Sequence, residues 1–146
     1  MRTVLFVCTG NTCRSPMAEA IARSLVDDSE VFVASAGVSA FDGAPTSSES
    51  ITALESMGIE YEGRSTRLTP EMVRGADLIL CMTAQHRDAA RRLVSDAPEL
   101  AEKIQVLDLD GDIPDPIGQG QDRYDAVAER MKQVIPERIE SIVTQK

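Results

Sequence analysis

Residues 4–16 read Val-Leu-Phe-Val-Cys-Thr-Gly-Asn-Thr-Cys-Arg-Ser-Pro. Val4 to Val7 form an unbroken β-branched and aromatic run, the pattern of a strand buried on both faces of a parallel sheet. Polar residues and a glycine end the run after Cys8. Ser15 and Pro16 are the residue types favoured at an N-cap and at the first helical position. A helix is therefore expected from about Pro16, with Met17, Ala20, Ile21, Leu25 and Val26 on its inner stripe. A strand, a short glycine loop and a helix, in that order, open a βαβ unit.

The alternation continues along the chain. Residues 30–35 read as a second strand, 77–82 as a third and 104–107 as a fourth. Between them, residues 36–47 are a Gly/Ser/Ala-rich loop, 48–57 fit a helix stopped by Gly58, and 84–94 fit a helix carrying Arg87, Arg91 and Arg92. Residues 109–121 are rich in Pro, Gly and Asp and too long for a plain connector. The last stretch places Tyr124, Val127, Met131, Val134, Ile135, Ile139, Ile142 and Val143 on one helical stripe, with Pro136 inside it, so a kink or break is expected there. The expected architecture is α/β, a parallel sheet with helices on both faces in three layers, over a single domain at 1–146. In such sheets ligands bind beyond the C-terminal ends of the strands.

Composition narrows the function. The chain has 146 residues, 15 Lys plus Arg, 24 Asp plus Glu, a formal charge of −9, and 42% hydrophobic residues. That balance disfavours binding to nucleic acid or to an anionic membrane. One His and three Cys do not readily build a four-ligand zinc site. Three cysteines imply no disulfide framework, and the cytoplasm is the expected compartment. No apolar run approaches the ~18 residues of a membrane span, and the first apolar run is too short for a signal peptide.

Cys8 and Arg14 form a Cys-x5-Arg pair, and Cys81 and Arg87 form another. Both follow strands. Only the first has the residues to cradle a tetrahedral anion, which needs several inward backbone N–H groups and a helix N-terminus behind them. Gly10 and Asn11 tolerate the required left-handed dihedrals, and a helix start follows. Met82 and Ala84 suit a strand passing directly into a helix, so Cys81 is expected to be buried packing. At Cys8, the helix N-terminus and Arg14 both favour a thiolate, and Ser15 could donate a hydrogen bond to it. Arg14 carries the guanidinium fork suited to phosphate. Thr9, Gly10, Asn11, Thr12, Cys13, Arg14 and Ser15 then make up a phosphate-binding loop.

Residues 7–19, Val-Cys-Thr-Gly-Asn-Thr-Cys-Arg-Ser-Pro-Met-Ala-Glu, resemble the signature of the low-molecular-weight protein tyrosine phosphatase family. Ser35-Ala36-Gly37, Ala76-Asp77-Leu78-Ile79 and Asp115-Pro116 extend the resemblance along the whole chain. It implies a four-stranded parallel sheet of Rossmann-like, phosphotyrosine protein phosphatase I-like form, with no metal and no cofactor. It also implies a cysteinyl-phosphate mechanism, with Cys8 attacking phosphorus and Arg14 and the loop amides stabilising the phosphoryl group. An aspartic acid protonates the leaving group and then activates water. The late loop offers Asp108, Asp110, Asp112 and Asp115. Asp115 is the choice, because Pro116 holds it extended and it matches the family's Asp-Pro. Asp112 is second, and Asp108, Asp110 and Asp112 otherwise read as solvated turn residues.

Within that family, the residue at position 12 is usually aliphatic in tyrosine-directed members and Thr in the protein arginine phosphatase branch, and here it is Thr12. Ile117 stands where both groups tend to carry an aromatic, and Phe41 could supply one wall of a slot. Residues 63–66, Gly-Arg-Ser-Thr, replace a His and a second Arg found in many relatives, which leaves that loop without its usual hydrogen-bond support. Thr12, Phe41 and Ile117 are thus the selectivity candidates, and phosphoarginine is favoured over phosphotyrosine. The expected partner is a phosphorylated protein or peptide, and the chain is expected to be monomeric. A thiol-relay arsenate reductase would have only Cys8, Cys13 and Cys81 to use, and a non-catalytic phosphate binder would not need Cys8, Arg14 and Asp115 together. Cys13 is a candidate redox partner that could close a protective disulfide with Cys8. His86 reads as a surface residue.

Overall fold

Strand β1, Arg2–Cys8, sends its alternate side chains into two cores. Val4, Phe6 and Cys8 enter one, and Leu5 and Val7 enter the other. That is why the run is unbroken: both faces of the strand are covered. The structure, a computed structural model, describes residues 1–144, so the last two residues of the expected domain lie outside it.

The elements follow as α1 (Arg14–Arg23), β2 (Val31–Gly37), α2 (Ser48–Glu55), α3 (Pro70–Gly75), β3 (Leu78–Cys81), α4 (Ala84–Leu93), a 3-10 helix (Pro98–Lys103), β4 (Ile104–Val106) and α5 (Gln121–Thr144). The four strands form one sheet in the order β2-β1-β3-β4, every pair parallel. The core on one face joins residues of α1, α2 and α5, among them Met17, Ile21, Leu54, Met131 and Ile135. The opposite core joins Val73 of α3 and Ala90 of α4 to Leu5, Val7, Ile79 and Ile104. This is the expected three-layer α/β fold with a four-stranded parallel sheet. The chain leaves β1 toward β2 on one side and reaches β3 on the other, so the strand order reverses beside β1. Such a reversal opens a crevice at the strands' C-terminal ends.

The element boundaries differ from expectation in instructive ways. Helix α1 begins at Arg14, with Cys13 at its N-cap and no side-chain cap bond. Ser15 is therefore inside the helix, and its hydroxyl goes to Cys8 instead. The helix stops at Arg23, so Leu25 leaves the inner stripe and is 48% exposed. Helix α3, capped by the Thr69 side chain on Met72 N–H, has too short a pattern to read from the sequence. Helix α5 runs through Pro136 as one element. Met131, Ile135, Ile139 and Ile142 bury the same stripe on both sides of it, and that packing outweighs the backbone hydrogen bond that proline removes.

Candidate active site

The loop after β1 turns its carbonyls outward. Cys8 O accepts from Val38 N–H at 2.9 Å, Thr9 O from Ser39 N–H at 2.9 Å and Thr12 O from Ser47 N–H at 2.8 Å. Cys13 O accepts from Ser50 Oγ at 3.3 Å. The surrounding chain thus holds four of the loop's carbonyls, as a loop that offers its amides to an anion requires. Gly37, paired with Cys8, makes the close approach feasible: a Cβ there would lie 2.9 Å from Asn11 N. Of the two residues expected to supply left-handed geometry, Asn11 does so, at φ 56°, and Gly10 does not.

Asn11 is 2% exposed, and every polar atom of its amide is used. Its Oδ1 accepts from Thr66 N–H at 2.8 Å. Its Nδ2 donates to Ser15 Oγ at 2.7 Å and to Ser35 Oγ at 2.9 Å. These bonds offset the cost, roughly 1 kcal/mol, of a non-glycine residue at positive φ. Cys8 is 2% exposed, and its Sγ lies 2.8 Å from Ser15 Oγ. The expected Cys8–Ser15 contact is therefore present.

Arg14 closes the loop from the helix side. It is 5% exposed, and its Nη1 donates to Ile113 O at 2.9 Å. Its Nη2 is 3.8 Å from Asp115 Oδ2, whose side chain is about half exposed. One guanidinium thus spans the loop after β1 and the late loop. Asp115 Oδ1 accepts from Ile117 N–H at 3.1 Å, and Gln119 Nε2 donates to Asp115 O at 2.9 Å, which fixes the turn around Pro116.

The other late-loop aspartates have different work. Asp112 Oδ1 accepts from Ala84 N–H at 3.0 Å and so caps α4. Asp110 is exposed, as expected. Asp108 is not a solvated turn residue: it is 7% exposed and pairs with Arg130 Nε at 2.8 Å. Burial pushes its carboxyl up, but Asp110 N–H and Arg130 outweigh that and hold it below the usual carboxylate range. Arg130 also donates to Gly111 O and Asp112 O, pinning the loop that carries Asp115. No local pattern signals this clamp, since Arg130 sits on an ordinary helical face.

His86 is also corrected. It is 6% exposed, not a surface residue, and its Nε2 is 2.8 Å from Thr9 Oγ1. Its Nδ1 has no partner. Burial, then the nearby Arg14 charge, push its pKa down to about 4, so the ring is neutral at pH 7. Periodicity could have placed it on the inner face of α4, as Ala90 is. Thr12 is half-buried, with Oγ1 3.7 Å from Cys13 Sγ. Cys13 is 7% exposed, and its Sγ is 3.4 Å from the buried Tyr124 hydroxyl. Burial is the main cause that raises the Tyr124 phenol, so it stays protonated. Phe41 and Ile117 are 84% and 63% exposed and wall no enclosed slot. Cys81 is fully buried, as expected, and burial pushes its thiol up to about 12.

Comparison with known proteins places this geometry. A family profile described as low molecular weight phosphotyrosine protein phosphatase matches residues 3–146. The chain is 37% identical over 147 residues to a protein-arginine-phosphatase of Geobacillus stearothermophilus, covering 97% of each. Among solved structures, it resembles a YwlE arginine phosphatase mutant with a phosphorylated active-site serine at TM-score 0.88 and 31% identity, covering 99% of this chain and 97% of that one. It also resembles a low molecular weight protein tyrosine phosphatase from T. tengcongensis at TM-score 0.82 and 42% identity, covering 97% and 99%. The chain belongs to the low molecular weight phosphotyrosine protein phosphatase family, and it is a cysteine-dependent protein phosphatase.

Proposed function

We propose that this chain hydrolyses phosphoarginine in proteins, with Cys8 as nucleophile, Arg14 and the amides of residues 9–15 as phosphate cradle, and Asp115 as general acid and base. The Cys8 thiolate attacks phosphorus in line, an S–P bond forms, and the P–N bond to the guanidine breaks. Asp115 gives its proton to the departing nitrogen. The resulting carboxylate takes a proton from water, whose oxygen attacks phosphorus and returns Cys8 as thiolate. Ser15 Oγ accepts from Asn11 Nδ2, which leaves its own hydrogen for Cys8 Sγ 2.8 Å away, and so it supports both steps. Arg14 couples the two groups through its contact with Asp115.

The observation behind the choice of substrate is Thr12, half-buried in the loop, together with the exposure of Ile117 and Phe41, which are not packed as the walls of a slot. A small hydroxyl can orient a phosphoguanidinium, whereas phosphotyrosine selectivity needs aromatic walls. The relatives named arginine phosphatases support this reading, and the tyrosine phosphatase from T. tengcongensis supports the alternative. The reading further takes residues 1–146 as one phosphatase domain, acting as a cytoplasmic monomer, with Cys13 as a reversible disulfide partner for Cys8 under oxidation. No helix among the described residues is long and apolar enough to cross a membrane.

Matched peptides carrying phosphoarginine or phosphotyrosine test the substrate directly. The expected result is a higher kcat/KM on phosphoarginine, with Thr12→Ile shifting the ratio toward phosphotyrosine. A ratio that favours phosphotyrosine in the wild type and ignores Thr12→Ile would reject the assignment.

A further inference from the structure

Three consecutive carbonyls of the late loop are held by two arginines. Arg130 Nη2 donates to Gly111 O at 3.0 Å, and its Nη1 donates to Asp112 O at 3.1 Å. Arg14 Nη1 donates to the next carbonyl, Ile113 O, at 2.9 Å. The third nitrogen of Arg130, Nε, donates to Asp108 Oδ2 at 2.8 Å. Every nitrogen of the Arg130 guanidinium therefore faces this loop, in the planar fork that Lys does not offer.

The bonds fall on the stretch that leads into Asp115. Asp108 Oδ1 accepts from Asp110 N–H at 2.9 Å, and Asp108 O accepts from Gly111 N–H at 3.2 Å, which closes a turn at 108–111. The peptide group between Asp112 and Ile113 is then bonded at both ends, its oxygen to Arg130 and its N–H to Met82 O at 2.9 Å. Because a peptide group is planar, two such bonds fix its orientation. That orientation sets where Ile113 O meets Arg14 and where the chain leaves toward Asp115. Asp115 itself bonds, among the described residues, only within its own turn and to Arg14. Its place therefore depends on the anchored stretch before it. The anchor is firm on the helix side, since Ala128 and Met131 beside Arg130 are 0% exposed.

We propose that Arg130 is a positioning residue for the general acid: by holding Gly111 O and Asp112 O against α5, it places the late loop so that Asp115 lies beside Arg14 and within reach of the leaving group. The proposal rests on Asp115 being the general acid. Arg130 acts through the backbone and not on the substrate. Without its two carbonyl bonds, the peptide group before Ile113 is held at one end only. The Asp115 carboxyl, two residues further on, then spends less time in the geometry that proton transfer needs. A misplaced acid slows only leaving groups that need a proton, a pattern that a general loss of packing does not produce.

The test compares kcat/KM on phenyl phosphate, whose leaving group departs poorly unless protonated, with kcat/KM on p-nitrophenyl phosphate, whose leaving group departs without that help. Asp115→Asn is the reference and should lower the ratio of the first to the second. Arg130→Ala is expected to lower the same ratio about tenfold, part of the roughly 10²-fold that a positioned acid supplies. Arg130→Lys keeps the charge but not the fork, and it should fall with the alanine variant. Added to Asp115→Asn, Arg130→Ala should lower the ratio no further, since the acid it positions is already gone. Unchanged ratios in both Arg130 variants, with only a fall in Tm, would show Arg130 to be packing and overturn the proposal. A wild-type ratio in Arg130→Lys alone would overturn it too, because charge and not the bonded fork would then be at work. So would a further fall in the Asp115→Asn background, because Arg130 would then act by another route. Failure of the general-acid reading shows separately, as an Asp115→Asn variant that keeps the wild-type ratio.

Discussion

Cys8–Arg14 and Cys81–Arg87 have the same Cys-x5-Arg spacing, and they leave adjacent parallel strands, with Val7 registered against Cys81. One becomes the buried loop proposed as a phosphate cradle and the other a strand passing into a helix. The difference lies in the residues between. Asn11 in the first takes φ 56° and bonds three neighbours, whereas the corresponding Ala84 starts α4. Arg14 is buried against Ile113 O, whereas Arg87 turns back to Asp88 at 3.1 Å, about a third exposed. Cys8 meets a hydroxyl, whereas Cys81 is sealed in the core. The second segment serves the first: its His86 holds Thr9, and Asp112 caps its helix while Asp115 reaches Arg14. Spacing alone therefore carries no chemistry; the residues able to turn the backbone do.

The largest expected contrast is between the two cysteines. Cys8→Ser should lower turnover of p-nitrophenyl phosphate by roughly 10⁴-fold or more, because the alkoxide is not formed near neutral pH. Cys81→Ala should leave turnover within about twofold and cost on the order of 1 kcal/mol, read as a lower Tm, for a small cavity. Equal losses would erase the distinction between the segments. Next come the aspartates. Asp115→Asn should cost about 10²-fold in kcat on a poor leaving group, while Asp112→Asn keeps an oxygen for Ala84 N–H and stays near wild type. The reverse order would move the acid to Asp112.

Asn11→Ala sharpens the backbone side of the contrast. It removes three hydrogen bonds and leaves a β-carbon at positive φ, so a loss of about 2–3 kcal/mol in denaturant unfolding is expected, with a parallel fall in kcat. Ala84→Gly, at the matching place, should cost no more than ~1 kcal/mol and leave kcat alone. The last contrast, confined to acid pH, is the pH dependence that His86 gives. Its folded pKa, about 4, lies below the unfolded 6.5, so the unfolded chain binds the extra proton between those values. Stability should fall as pH drops through that window, by up to ~3 kcal/mol at its lower end. His86 is the chain's one histidine, so His86→Gln should flatten the upper half of the window. A slope that survives the substitution would remove His86 from the account.

The sheet was legible because each strand is an apolar run covered on both faces, and Cys8, Arg14 and Asn11 were legible because a turning loop needs those residue types. Helix α3 was not, since six residues carry too little periodicity. Nor were Glu19, Arg130 and the burial of His86. Each acts through a partner distant in sequence: Glu19 through Ser35, Arg130 through Asp108, His86 through Thr9. Local pattern holds no record of such pairs. Ser15 shows the same limit at short range, since its N-cap chemistry was readable but the thiol eight places into the chain took its hydroxyl.

The central claim is that phosphate passes through Cys8 and no other residue. Asp115→Asn slows breakdown of the intermediate, so acid quench of this variant during turnover of p-nitrophenyl phosphate should trap it. Mass spectrometry should then find one phosphate, on the peptide carrying Cys8, and none on the peptide carrying Cys81. Phosphate on any other residue, or turnover with no phosphoenzyme under conditions that preserve a thiophosphate ester, would contradict the account.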